Sequence, residues 1–154
     1  MHYLAAGSTA PDFSLTDQHN NVVQLSALLK QNRVLVYFYP KAMTPGCTVQ
    51  ACNLRDSLAE FSQKGVQVLG ISTDPVKSLA KFTQRDALNF TLLSDPEHQT
   101  AAAFGVWGEK KFMGKIYDGI HRTSFLIGTD GLIKQVYQDF KTSNHHEVVL
   151  KSLP

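Results

Sequence analysis

Short apolar runs alternate along the chain with polar segments that contain glycine, proline or asparagine. The strongest run, 33–39, is almost continuously apolar, which is typical of a central strand covered on both faces. Residues 66–72 form a second run of this kind, and 91–94 a shorter third one. The pattern therefore predicts three buried strands in the first two thirds of the chain.

Helical spacing of apolar residues appears between these runs. It is clearest from about Cys47 to Lys64, where Gly65 provides a stop. The start and stop residues of the remaining segments predict four more helices. These are a short one capped by Ser26 and running through Lys30, one from Asp74-Pro75 to about Asp86, one from Asp95-Pro96-Glu97 through Ala103, and one capped by Asn144 and running to about Leu153.

Two hairpins complete the pattern. Residues 12–15 and 22–25 flank a polar turn, and 121–127 and 132–138 flank an Asp-Gly turn. The glycine- and aromatic-rich segment 104–114 is expected to be a loop, with Trp107 either a packing anchor or a lid. The element order predicts an α/β fold with a mixed central β-sheet flanked by helices and an N-terminal β-hairpin, as in thioredoxin-like folds. We expect a single domain, 1–154.

Composition narrows the possible partners. The net charge of +2, with dispersed basic residues, is too small to predict nucleic acid or a membrane surface as a partner. The longest apolar run is far too short to span a bilayer. The N-terminus lacks the basic and apolar regions of a signal peptide, and two cysteines do not make a secreted disulfide framework. These features favour a cytoplasmic enzyme.

Cys47 and Cys52 are the only cysteines, and their placement predicts a redox or nucleophilic site. Cys47 follows an apolar strand and a Pro-Gly turn, at the expected start of a helix. Unpaired N–H groups at a helix N-terminus favour the reactive thiolate form of a cysteine. On one intact helix the two Cα atoms would be about 8.7 Å apart, beyond the limit of about 7 Å for a disulfide.

The pair can therefore form a disulfide only if the first helical turns unwind. This favours a catalytic pair, in which Cys47 attacks and Cys52 resolves, over a permanent disulfide. The alternative is two small buried hydrophobic residues.

Three further residue types fit a thiolate site, and each has a simpler interpretation. The Thr44 hydroxyl can face the same pocket as the sulfur, or can merely cap the helix. Pro40 and Pro45 restrict the intervening loop, or are ordinary loop residues. Arg122, at the start of a late strand, can supply a fixed cation or can reach solvent, and Arg55 on the Cys47 helix is a second candidate.

These residues resemble a known family along essentially the whole chain. Pro40-x-x-x-Thr44-x-x-Cys47 matches the peroxiredoxin signature, and the fuller pattern resembles the bacterioferritin comigratory protein (peroxiredoxin Q) subgroup. The segments that carry the resemblance are 37–52, Ala10-Pro11-Asp12-Phe13, Arg122, Phe104-Gly105-Val106-Trp107-Gly108-Glu109 and Met113-Gly114-Lys115.

The resemblance implies reduction of hydrogen peroxide and organic hydroperoxides, with Cys47 as the peroxidatic residue and Cys52 at the resolving position. Thr44 and Arg122 match residues that hold the peroxide and the thiolate. It also implies thioredoxin as the reductant and a monomeric state, which is frequent in this subgroup. Many peroxiredoxins carry glutamate three residues after the peroxidatic cysteine, whereas this chain has Gln50.

The chemistry agrees with that assignment. Displacement at a peroxide oxygen needs donors for the charge that develops, and the backbone N–H groups of Gly46 and Cys47, the Thr44 hydroxyl and Arg122 could supply them. Pro40 could screen the thiolate from water. Sulfur carries the electrons, so that no metal, haem or flavin cofactor is required.

Three other functions compete with this one. A thiol–disulfide oxidoreductase would normally use Cys-x-x-Cys, whereas four residues separate the cysteines here. A peroxide sensor that passes oxidation to a partner protein would use the same Cys47. A redox-inert binding domain would leave the intact motif without a purpose.

Overall fold

The computed structural model describes residues 3–154, which form two sheets and five helices within that range. The strands are β1 (Ser14–Asp17), β2 (Val22–Gln24), β3 (Arg33–Phe38), β4 (Val66–Ser72), β5 (Thr91–Ser94), β6 (Trp107–Phe112), β7 (Lys115–Ile120), β8 (Thr123–Ile127) and β9 (Ile133–Tyr137). The helices are α1 (Leu25–Leu28), α2 (Pro45–Gln63), α3 (Val76–Asp86), α4 (Gln99–Ala103) and α5 (His145–Ser152).

The main sheet has seven strands in the order β2-β1-β5-β4-β3-β8-β9. The central strands β3, β4 and β5 are parallel, whereas β1, β2, β8 and β9 pair antiparallel with their neighbours. This confirms the predicted mixed sheet and its N-terminal hairpin. Parallel strands need crossover connections, and α2 and α3 supply them.

The two faces of β3 belong to two separate apolar clusters, because successive side chains of a strand point to opposite faces. Leu35, Tyr37 and Tyr39 pack in a cluster that includes Cys47 and residues of α2, α3 and α5. Val34, Val36 and Phe38 pack on the other face, in a cluster that includes Leu25 of α1, Ala101 of α4 and neighbouring residues. Helices on both faces explain why the run is continuously apolar.

The largest difference from the sequence prediction lies at 104–114. Only its first residues form a loop, since β6 begins at Trp107 and pairs with β7 as a two-stranded hairpin. The turn lies at Met113-Gly114, where both residues have positive φ. The outer part of this hairpin is exposed on both faces, so that it lacks the apolar alternation by which a strand is normally identified.

Two predicted helix starts were wrong, and at a third the position is confirmed but the expected capping bond is absent. Ser26 lies inside α1, which begins at Leu25, and its hydroxyl donates to the carboxylate of Asp12 instead of capping the helix. The helix expected from Asp95 begins only at Gln99, because residues 95–98 form a turn in which His98 is left-handed. Asn144 does precede α5, but its side chain accepts from the Lys141 N–H and makes no capping bond.

Gly70 of β4 provides a test of packing at the centre of the sheet. A Cβ atom added there would lie 2.8 Å from the Tyr37 ring and 2.9 Å from Leu92 Cδ2, on the two flanking strands. We therefore expect Gly70→Ala to lower the free energy of unfolding by about 1–3 kcal/mol, measured by urea denaturation. Ala87→Gly is the matched control, because Ala87 is exposed with a φ of +51° that glycine adopts freely. Equal stability of Gly70→Ala and wild type would contradict this packing.

Candidate active site

The loop between β3 and α2 is held by one hydrogen bond to a residue outside the loop and by another between two of its own residues. The Ala42 N–H donates to Asp74 Oδ2 over 2.7 Å, and Asp74 follows the end of the neighbouring strand β4. Within the loop, the Thr44 hydroxyl donates to the Lys41 carbonyl over 2.8 Å. Met43 has a φ of +66°, an uncommon conformation for a residue with a long side chain. No pattern in the sequence near the loop indicates Asp74 as its anchor.

α2 begins at Pro45, two residues before the predicted start, so that Pro45 and Gly46 belong to its first turn. Thr44 occupies the N-cap position with extended backbone, and its carbonyl accepts from the Thr48 N–H over 2.9 Å. Its side chain makes no capping bond, so that the simpler interpretation of Thr44 as a side-chain cap does not hold. Proline at the first helical position is favoured, because its missing N–H would have no partner there. The N–H groups of Gly46 and Cys47 likewise have no carbonyl partner within the helix.

Cys47 lies in this first turn and is only 2% exposed. Arg122 donates from Nη2 to Cys47 Sγ over 3.4 Å, and from Nη1 to Gln50 Oε1 over 2.6 Å. Arg122 precedes β8, whose first residue Thr123 pairs with Phe38 at the end of β3. The sheet thus brings a fixed cation to the start of α2. Of the two candidate arginines, Arg122 reaches the sulfur.

The other candidate, Arg55, points elsewhere. Its Nε pairs with Asp56 over 2.9 Å and its Nη1 donates to the Asp86 carbonyl over 2.5 Å. Arg55 therefore links α2 to the end of α3, on the part of α2 that follows Cys52.

Gln50 is the neutral hydrogen-bond partner of Arg122 at this site. It is buried, and its Oε1 accepts from Arg122 while Nε2 has no hydrogen-bond partner among the described residues. An amide orients the guanidinium without neutralising it, and within 3–154 no carboxylate forms an ion pair with Arg122. The positive charge of Arg122 is therefore left to act on the sulfur of Cys47, whereas a glutamate would share it.

Gly46 lies against the segment that precedes α5. A Cβ atom there would be 3.5 Å from Thr142 Cγ2 and 3.7 Å from Arg122 Nη2, which is ordinary contact distance. Thr142 had no distinguishing pattern in the sequence. Its position depends on the packing of α5 against α2.

A cavity of about 240 Å³ adjoins the loop at Pro40 and extends under the β6–β7 hairpin. Trp107, Lys110 and Tyr117 contribute to its walls. The Lys110 Nζ donates to the Ile120 carbonyl over 2.9 Å, and burial, followed by the charge of Arg122, lowers the pKa of Lys110. A larger cavity, of about 390 Å³, lies between the far end of α2 and β4 and contains none of the site residues.

Trp107 lines this cavity and also packs against residues outside it. Its ring stacks on His98 with centroids 4.1 Å apart and planes 2° apart, and it packs partly buried against the second apolar cluster. Of the two roles considered for Trp107, these contacts favour the packing anchor.

Cys52 is half-buried on the same helix, and both thiols are free. Because α2 is helical across both residues, their Cα atoms are about 8.7 Å apart by helix geometry. The reduced structure therefore keeps the two sulfurs out of bonding range.

Buried polar groups lie beneath the site. The Tyr37 ring stacks on Tyr39 with centroids 5.4 Å apart and lies 5.8 Å from the His145 ring. Burial raises the pKa of Tyr37, and it lowers the pKa of His145 to about 3. His145 Nε2 shares a 2.7 Å hydrogen bond with the Ser124 hydroxyl, whereas Nδ1 has no partner within 3–154. His145 is therefore a neutral core residue.

Known proteins match both the sequence and the fold. Residues 6–136 match the AhpC/TSA family. The chain is 63% identical to peroxiredoxin Bcp of Escherichia coli over 153 residues, which are 99% of this chain and 97% of that protein. Peroxidoxin BcpB of Mycobacterium tuberculosis superposes with a TM-score of 0.87 at 39% identity, covering 98% and 97% of the two chains.

A third relative connects the fold with a substrate. The bacterioferritin comigratory protein of Xanthomonas campestris superposes with a TM-score of 0.86 at 32% identity, covering 98% and 95% of the chains, and its structures concern its alkyl peroxide reduction activity. The predicted thioredoxin-like fold is thereby confirmed, and the solved structures that share it are peroxiredoxins. The chain belongs to the AhpC/TSA family, as a peroxiredoxin of the bacterioferritin comigratory protein (peroxiredoxin Q) subgroup. Membership implies a peroxidase activity. Among the described residues, no helix has the length and apolar character needed to cross a membrane.

The depressed pKa of His145 predicts a pH dependence of stability. The folded protein holds this imidazole neutral down to about pH 3, whereas in the unfolded chain it gains a proton below about 6.5. Its contribution is thus fully present above about pH 6.5 and is lost as the pH falls, with a slope of at most about 1.4 kcal/mol per pH unit. His145→Gln should make this slope shallower by up to that amount in urea unfolding measured across the range. The exposed His19, changed to Gln, is the control, and an unchanged slope in His145→Gln would contradict the assignment.

Proposed function

We propose that this single-domain chain is a thioredoxin-dependent peroxidase that reduces hydrogen peroxide and organic hydroperoxides through Cys47 and Cys52. The observation that carries the proposal is the contact of Arg122 with Cys47 at the start of α2. A buried thiol between a cation and unpaired backbone N–H groups favours the thiolate, which is the nucleophile. The alkyl peroxide reduction of the Xanthomonas campestris relative supports the substrate class.

The first step is attack on the peroxide. The Cys47 thiolate donates an electron pair to the terminal oxygen of ROOH, the O–O bond breaks, and Cys47 becomes a sulfenic acid. The leaving RO⁻ takes a proton and departs as alcohol or, from hydrogen peroxide, as water. Arg122 and the N–H groups of Gly46 and Cys47 stabilise the negative charge that develops on the two oxygens. The Thr44 hydroxyl, at the edge of the same loop, orients the peroxide, and Pro40 limits access of water.

The second step joins the two cysteines. The Cys52 thiol attacks the sulfur of the Cys47 sulfenic acid, a disulfide forms, and one water molecule leaves. The first turns of α2 must unwind for this step, because the folded helix keeps the two residues too far apart. The dithiol of thioredoxin then reduces the disulfide and becomes oxidised itself. No metal, haem or flavin takes part.

The remaining features of the proposal follow from this cycle. A cytoplasmic location supplies reduced thioredoxin and keeps the free thiols reduced between turnovers. The reaction needs only residues of one chain, which agrees with a monomer. The role that results is antioxidant defence and redox homeostasis.

Substitution of each cysteine separates the two steps. We expect Cys47→Ser to abolish peroxide consumption, and Cys52→Ser to consume one equivalent of peroxide and then stop. Peroxide consumption with thioredoxin and its reductase gives turnover, and mass spectrometry after one equivalent gives the oxidation state of each sulfur. Equal loss of the first reaction in both variants would contradict the roles assigned here. Slow turnover with a long-lived mixed disulfide in wild type would favour the peroxide sensor.

Removal of the cation tests the site electrostatics. Arg122→Met should slow the reaction of Cys47 with peroxide by about 10²–10³-fold, because both a fixed charge and a hydrogen-bond donor are lost. Rapid mixing of each reduced variant with peroxide gives the rate of this first reaction. Arg55→Met is the matched control, since Arg55 lies on α2 but makes its hydrogen bonds to Asp56 and Asp86. If both variants react at the wild-type rate, Arg122 has no role in the chemistry.

A further inference from the structure

Beyond Cys52, residues of α2 form hydrogen bonds with neighbouring segments. Asn53 Nδ2 donates to the Ser143 carbonyl over 3.3 Å, and Arg55 donates to the carbonyl of Asp86 at the end of α3. Asn89 donates in turn to the Arg55 carbonyl over 3.2 Å. None of these bonds has to break when the part of α2 before Cys52 unwinds. The part of α2 after Cys52 can therefore keep these contacts when the disulfide forms.

Two arginines hold the part of α2 that has to move. Arg122, which directly precedes β8, contacts Cys47 and Gln50. Arg85, near the end of α3, donates from Nη2 to the Thr48 hydroxyl over 2.8 Å. The disulfide with Cys52 requires both arginines to release α2.

Oxidation acts differently on the two contacts. When Cys47 is converted from thiolate to sulfenic acid, the sulfur loses the negative charge that attracts Arg122, and this contact weakens. The Thr48 hydroxyl is neutral and takes no part in the reaction. The bond from Arg85 consequently keeps its strength in the sulfenic acid form, where it still opposes unwinding.

Arg85 is held in place for this contact. Its Nε pairs with Asp86 Oδ2 over 2.9 Å, and its guanidinium carbon lies 5.8 Å from the centroid of the Phe82 ring. These neighbours reduce the side-chain entropy lost on bonding to Thr48. The Arg85 side chain is nevertheless 47% exposed, so that water can replace Thr48 as its acceptor. The bond can therefore open without leaving the guanidinium buried and unpaired.

We infer that Arg85 is a positioning residue which holds the start of α2 folded through Thr48, and that opening of this hydrogen bond controls how fast the Cys47 sulfenic acid reaches Cys52. The inference rests on the proposed function. Arg85 touches neither peroxide nor sulfur and leaves the first step unchanged. In the second step the sulfur–sulfur bond forms and water leaves, as before, but only after the Arg85–Thr48 bond has opened.

Hydrogen exchange of the reduced protein tests the contact independently of any peroxidase activity. We expect Arg85→Met and Thr48→Val each to speed amide exchange in 45–52 by about threefold to tenfold, the effect of losing one partly exposed charged hydrogen bond. The double variant should exchange no faster than either single one, because both remove the same bond. Exchange in 53–63 should stay at the wild-type rate. Lys81→Met is the control, since it removes one positive charge from the exposed side of α3.

Rapid oxidation provides the second readout. After one equivalent of hydrogen peroxide, the Cys47–Cys52 disulfide should form faster in Arg85→Met by a similar factor, while the initial reaction of Cys47 keeps its rate. Excess peroxide should also give less sulfinic acid, because Cys52 arrives sooner.

Two results would overturn the inference. One is wild-type exchange in 45–52 in both single variants, whether or not the disulfide forms. The other is a slower first reaction with peroxide in Arg85→Met, which would place Arg85 in the substrate site. If wild type forms no Cys47–Cys52 disulfide, the proposed function fails, and the exchange result still decides whether Arg85 holds the helix.

Discussion

The antiparallel pairing of β3 with β8 is the constraint on which the site depends. This pairing places Phe38 opposite Thr123. The chain continues from Phe38 toward Cys47, and Arg122 directly precedes Thr123. A shift of one residue would turn every side chain of β8 to the other face, and both faces of this strand are buried. The distance between sulfur and guanidinium is thus fixed by a ladder of backbone hydrogen bonds. The sheet therefore determines the position of the positive charge beside Cys47.

Where burial or periodicity was strong, the sequence was sufficient to predict structure. β4 and β5 have the predicted bounds, and β3 ends one residue before the predicted limit. Helical spacing predicted α2 from about Cys47 to Lys64, and the helix extends from Pro45 to Gln63. Cys47 could be placed at the helix start for the same reason. The choice of Arg122 over Arg55 needed the family resemblance, because the pairing partner of a strand cannot be read from the strand itself.

The features that were not predicted depend on exposed residues or on contacts between residues that are distant in the sequence. The β6–β7 hairpin exposes Phe112, Met113, Ile116 and Tyr117, so that its strands show no division into apolar and polar faces. Asp74 acts on the active-site loop through the backbone N–H of Ala42, a group that every non-proline residue carries. Thr142 contributes only van der Waals contact at Gly46. None of these relationships leaves a pattern in neighbouring residues.

The placement of both cysteines on one helix also bears on the reduction potential. In the proposed cycle, the reduced protein has a complete α2 and the oxidised protein does not, so that the free energy of folding the first turns favours the dithiol. For this two-electron couple, about 1.4 kcal/mol of such preference raises the potential by about 30 mV. A more stable helix start therefore makes the disulfide a stronger oxidant and easier for a partner to reduce. The local stability of α2 thus sets the driving force for electron transfer from the reductant.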